Sequence, residues 1–154
     1  MNIAKFALAA CVTVAFLALA SPASLAVDTA VSKDAPDLTA VRAKIKAKEF
    51  KSAVGDLMVM IDKGVQHADV YNLLGFGLRK TGDYPQALTF YKKALDFDAN
   101  HKGAHEYLGE LYAETGQLPK AKEHLAILEK LCPQGCEERE DLEKAIAAAT
   151  PKIN

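Results

Sequence analysis

The chain has 154 residues, half of them hydrophobic and a quarter charged, with a formal net charge of −1. That length suits one domain with a real but modest core. There is no basic excess to bind nucleic acid or an anionic membrane surface, and no long low-complexity stretch.

In chain order, Lys5 gives a short positive start, residues 6–20 form an apolar run, and Ser21-Pro22 breaks it. Ser24-Leu25-Ala26 then supplies the small residues a signal peptidase reads, so residues 1–26 read as a secretory signal peptide cleaved after Ala26. The apolar run is shorter than the roughly 20 residues of a membrane span, so no stable membrane insertion is expected after cleavage. A retained anchor, and lipidation at Cys11 after Leu8-Ala9-Ala10, are the alternatives. Loss of Lys5 leaves a net charge of −2. The expected destination is the periplasm of a Gram-negative cell. Residues 27–36 are polar and aperiodic and read as a disordered leader.

Within 37–67, Leu38, Val41 and Ile45 mark a first helix, and Ala53, Leu57, Met60 and Ile61 a second. Asp37, just after Pro36, is placed to cap the first. Met58 and Met60 read as gap-filling core residues rather than metal ligands.

Residues 68–135 carry one pattern written twice. Leu74-Gly75 recurs 34 residues later as Leu108-Gly109, Thr81-Gly82 as Thr115-Gly116, and Pro85 and Ala87 as Pro119 and Ala121. In the first copy Val70, Tyr71, Leu74 and Leu78 fall at helical spacing. Thr81-Gly82 ends that helix, because glycine accepts the left-handed conformation just past a C-terminus. Asp83 is a suitable N-cap for a second helix, with Pro85 tolerated in its first turn. Ala87, Phe90, Tyr91, Ala94 and Leu95 give that helix its apolar side. Gly75 and Ala87 suit the close crossing of the two helices. Neither hairpin can bury its apolar face alone, so the two are expected to stack.

The spacing of Tyr71, Leu74-Gly75, Leu78, Ala87, Tyr91 and Ala94 resembles the tetratricopeptide repeat. His105, Leu108-Gly109, Tyr112, Ala121, Leu125 and Pro133 resemble a second copy. His105 departs from the family pattern where it has an aromatic, Leu128 where it has a small residue, and Ala99 where it has proline. The resemblance implies an all-α solenoid, helical hairpins in a right-handed superhelix whose concave side binds peptides or protein segments, and no chemistry. Counting back by the same offset makes residues 34–67 a degenerate first repeat, without the Leu-Gly pair, ahead of 68–101 and 102–135. Residues 137–149 follow as a capping helix, with Leu142, Ile146 and Ala149 on one face and acids in its first turns, where the helix dipole favours them. The repeat domain is thus expected over 37–149, with a short tail at 150–154.

Cys132 and Cys136 are the cysteines outside the signal, separated by Pro-Gln-Gly. An even count in an exported chain favours a disulfide, here one stapling the capping helix to the last repeat. The alternative is a thiol-redox or copper-handling site, since thiolates suit soft metals. His101 and His105 stand four apart, a spacing that can bind metal on a helix. However, His101 falls in a turn and His105 where the repeat packs an aromatic; His67 and His124 are expected to be exposed. No metal, cofactor or catalytic residue is assigned. There is no glycine-rich phosphate loop and no GxSxG, so the expected protein is not an enzyme.

By the resemblance, the first helix of each hairpin lines the concave groove. The positions not used for hairpin packing are Asp69, Asn72, Phe76, Arg79 and Lys80, then Glu106, Glu110, Ala113 and Glu114, with Arg42 and Lys46 in the degenerate repeat. Such a groove would be basic at one end and acidic at the other, with Phe76 either an exposed apolar anchor or packed on Ile45 or Tyr112. The glutamates at 106 and 110 do not fit the set with which some family members clamp a C-terminal carboxylate. The expected role is a non-catalytic adaptor or scaffold of the cell envelope holding a protein or peptide client, self-association through stacked repeats being a further alternative.

Overall fold

The computed structural model describes residues 35–150. The signal peptide and most of the leader read from the sequence lie outside these residues. Seven helices follow one another: α1 (Thr39–Lys46), α2 (Phe50–Asp62), α3 (Ala68–Lys80), α4 (Tyr84–Phe97), α5 (Lys102–Glu114), α6 (Leu118–Leu131) and α7 (Glu137–Ala149). No strand occurs among the described residues. The architecture is the all-α hairpin solenoid expected from the repeat.

The 34-residue offset is visible in the backbone. At the end of α3, Gly82 takes φ +88°, its N–H donates to the Arg79 carbonyl at 3.0 Å, and the Asp83 N–H reaches back to the Leu78 carbonyl at 2.9 Å. At the end of α5, Gly116 takes φ +74°, with the matching bonds to Ala113 at 3.1 Å and from Gln117 to Tyr112 at 2.7 Å. These paired bonds satisfy the last helical carbonyls and turn the chain back on itself. Asp83 then caps α4 by accepting from the Gln86 N–H at 3.2 Å. Asp37 acts one residue earlier than expected of a cap. Its carboxylate accepts from the Thr39 N–H at 2.9 Å, while Leu38 holds the cap position itself.

Packing runs from neighbour to neighbour. The hairpins α1–α2, α3–α4 and α5–α6 close on themselves, α2 lies on α3, α4 on α5, and α7 on both α5 and α6. Tyr71, Leu74, Tyr91, Leu57, Leu108, Leu128 and Leu142 are fully enclosed. Leu142 stands one offset beyond Leu108, and Ile146 one beyond Tyr112, so α7 keeps the register of a further first helix. Its face is narrower than expected: Leu142 and Ile146 are buried, but Ala149 is exposed.

The two repeated glycines meet different neighbours. A Cβ on Gly75 would lie 2.7 Å from the Tyr91 ring, whereas one on Gly109 would lie 2.6 Å from a δ-methyl of Leu142. The Tyr91 ring is stiff and wholly buried; the Leu142 methyls end a flexible side chain. Both substitutions to alanine gain the same helix propensity, so the difference isolates the clash. Gly75→Ala is therefore expected to be less stable than Gly109→Ala by about 1–2 kcal/mol in thermal unfolding; equal stabilities would reject this packing.

Candidate functional site

The first helices α1, α3, α5 and α7 are tied across the stack by charged and polar side chains. Arg42 on α1 approaches Asp69 on α3 (Nη2–Oδ1 3.7 Å). Asp69 also meets His101 Nε2 at 3.1 Å. His101 Nδ1 accepts the Ala104 N–H at 3.0 Å, so its Nε2 carries the hydrogen and donates to Asp69. His67 caps α3 in the same way, its Nδ1 accepting from the Asp69 N–H at 3.2 Å. His67 and His101 are 34 residues apart and are one position of the repeat, a role the sequence reading missed although the offset contained it.

Arg79 differs most from the sequence expectation of a free basic residue. Its side chain is 2% exposed, and its guanidinium donates to Glu110 and, at 2.9 Å, to Glu114. It also lies 5.7 Å from the ring centres of Phe76 and Tyr107. The basic and acidic ends expected of the groove thus meet and neutralise each other at this point, because residues about one offset apart face each other across successive first helices. Phe76 is half-buried. Its aromatic neighbours are Phe50 (6.1 Å between ring centres) and Tyr107 (4.8 Å) rather than Tyr112, with Lys80 Nζ 5.2 Å above the ring. Lys80 and Arg42 are exposed and Asp69 is half-buried.

Asn72 and Glu106 are buried polar groups on the same face. The Asn72 Oδ1 has no hydrogen-bond donor among the described residues, nor has the Tyr91 hydroxyl an acceptor, nor Arg79 Nε. Glu106 forms no ion pair or hydrogen bond among them. Its carboxyl is pushed up to about 8, first by burial and then by the charges of Glu110, Asp141 and Glu138, with Arg79 opposing. Burial, with Glu106 and Glu110 adding to it, likewise pushes the Tyr107 hydroxyl up to about 12.

His124 is half-buried rather than exposed. The His105 Nε2–H donates to the Ala99 carbonyl at 3.0 Å, leaving its Nδ1 to accept from His124 Nδ1–H at 2.8 Å. Tyr71 and Phe90 stack at the equivalent positions of the preceding hairpin, so the histidine pair replaces an aromatic pair. Burial, and then His105, holds His124 down at about 4. The Cys132 and Cys136 sulfurs lie 2.09 Å apart, bonding distance, in the turn between α6 and α7.

Residues 78–133 match the tetratricopeptide repeat family. This segment carries the tetratricopeptide repeat. Two curated relatives are similar to part of the chain. The uncharacterized protein ycf37 of Guillardia theta is 37% identical over 62 residues, covering 40% of this chain and 35% of that protein. The uncharacterized protein ycf37 of Pyropia yezoensis is 33% identical over 63 residues, covering 41% and 35%. The chain spans about a third of the length of these relatives. Among solved structures, the tetratricopeptide stack resembles the Yersinia enterocolitica type III secretion translocator chaperone SycD, with a TM-score of 0.63 at 15% identity over 71% of this chain and 78% of that one. An alternative dimer form of SycD gives a TM-score of 0.64 at 15% identity, over 75% and 93%. At that identity the likeness is one of fold.

Proposed function

We propose that this chain is a non-catalytic adaptor that holds a protein or peptide segment against the face formed by α1, α3, α5 and α7. The observation that carries the reading is the row of polar and aromatic side chains on successive first helices. Arg42, Asp69, Asn72, Phe76, Glu106 and Glu110 all lie at positions that the hairpins do not use for their own closure. Buried polar groups without partners are costly in a free protein, and a bound segment that supplies the missing donors recovers that cost. In this reading Cys132 and Cys136 form a structural staple beside α7. The signal-like residues 1–26 support export, with the mature chain beginning at Val27 in the cell envelope.

Site-specific photocrosslinking in intact cells tests both parts. Probes at Asp69 and Glu110 are expected to capture the same protein from the envelope fraction, while a probe at the exposed Glu123 on α6 captures none. Equal capture from Glu123 would move the interaction to another face, and recovery of the chain from the cytosol alone would end the export reading.

A further inference from the structure

Each of the carboxylates around Glu106 has a cation, though two of them share one. Glu110 and Glu114 share Arg79, Glu138 on α7 has Lys102 at 3.7 Å, and Asp141 has Lys144 at 2.8 Å. Glu106 stands among them, 8% exposed, and has no cation among the described residues. This cluster of five carboxylates therefore has three cations, and Glu106 is the member with none. It is also short of hydrogen-bond donors. The Asn72 side chain lies against Gly103, one helical turn before Glu106, close enough that a Cβ on Gly103 would sit 3.1 Å from its Nδ2, and its Oδ1 has no donor. A carboxylate offers acceptors only, and a buried one is stable when a charged donor meets it. Arg79 makes no hydrogen bond to it: its two terminal nitrogens are held by Glu110 and Glu114.

We propose that the recess between α3, α5 and α7 receives one cationic side chain, lysine or arginine, of the bound protein segment, with Glu106 as its counter-charge and Glu110 and Asn72 as flanking acceptors. This rests on the groove-binding reading above and names the chemistry of its client. A lysine ammonium or arginine guanidinium supplies both the missing charge and several N–H donors on a stem long enough to reach into a recess. Phe76 and Tyr107 beside it accommodate that stem. Without such a partner a proton takes the cation's place, in keeping with the raised proton affinity of Glu106. Neutral side chains leave the carboxylate without a counter-charge, and acidic ones are also repelled by Glu110, Glu138 and Asp141.

Random displayed decapeptides panned on the purified full chain and on its Glu106→Gln variant provide the test. Wild type is expected to enrich peptides with lysine or arginine at one fixed position. Replacing that residue by norleucine, or Glu106 by glutamine, is expected to weaken binding at least about tenfold. A Glu106→Lys variant, which carries its own cation, is expected to lose the basic preference altogether. Circular dichroism confirms that each variant is folded. Peptides that bind without a basic preference, or whose preference survives Glu106→Gln, overturn this inference and leave the groove reading standing. If wild type enriches no peptide at all, both readings fall. Displacement of a lysine peptide by calcium chloride, but not by sodium chloride of equal ionic strength, would make the recess a metal site and overturn the proposal.

Discussion

Arg79→Ala is expected to lower the unfolding free energy by about 3–5 kcal/mol, the range for removing one partner of a buried ion pair. The guanidinium is almost wholly enclosed and serves two carboxylates from α5 at once. Its loss leaves Glu110 without its cation, next to a Glu106 that already has none. It also removes the planar group packed beside Phe76 and Tyr107. Arg79→Lys restores a charge but not the fork that reaches Glu110 and Glu114 together, so it should recover only part of the loss. The double variant Arg79→Met, Glu110→Met removes both charges and fills the space with apolar atoms, and should be more stable than Arg79→Ala alone. Urea denaturation followed by far-ultraviolet circular dichroism reads all three. A loss below about 1 kcal/mol for Arg79→Ala, the range of exposed pairs, would mean that the clamp does not hold α3 to α5.

The second large effect is a stability profile with two opposed titrations. In the unfolded chain Glu106 ionises near 4.5, but in the fold it keeps its proton up to about 8. The fold therefore binds the proton more tightly than the unfolded chain. Stability from this group is complete below 4.5 and is lost as the pH rises through 8. His124 runs the other way. Its ordinary value of 6.5 is held down to about 4 by burial and by His105, so its contribution is complete above 6.5 and is lost as the pH falls through 4. Between pH 6.5 and 8 Glu106 acts alone, and wild type should lose stability steadily there while Glu106→Gln stays flat. Over its whole range the Glu106 effect is at most on the order of 5 kcal/mol. The groups that set it face it from three helices: Glu110 on its own α5, Arg79 on α3, and Glu138 and Asp141 on α7. Thermal unfolding of wild type, Glu106→Gln and His124→Gln across pH 4–9 measures both limbs. A wild-type curve parallel to that of Glu106→Gln above pH 6.5 would show that Glu106 is ionised and solvated in the fold.

The hairpins were legible because their signals are local and recur. Thr81-Gly82 and Thr115-Gly116 state where two helices end, Asp83 where the next begins, and Leu74-Gly75 and Leu108-Gly109 which face packs. The groove residues could be placed on their helices by the same count, but their partners could not, because facing is a property of two helices at once. Arg79 was assigned to a free basic end for that reason; Glu110 and Glu114 stand 31 and 35 residues on, just either side of one repeat, and bring their charge to it. The histidine pair was hidden in the same way. His105 and His124 are 19 apart, as are Tyr71 and Phe90, so the aromatic pair of one hairpin predicts the imidazole pair of the next. The burial of Glu106 had no signal in the sequence, since a glutamate on a first helix reads as a solvated one until α7 is seen to cover it.

The neighbour-to-neighbour packing also governs the order of assembly. Among the described residues no helix waits for a partner from a distant part of the chain: α3 finds α2 already made, and α5 finds α4. A chain emerging N-terminus first, from a ribosome or a narrow translocation pore, can lay each hairpin on the one before and bury apolar surface as it is delivered. The last segment to arrive is α7, which closes over Gly109 and Glu106. The site around Glu106 is therefore completed only once α7 has followed α6, and a client that needs α7 to bind cannot be caught by a molecule delivered only as far as α6.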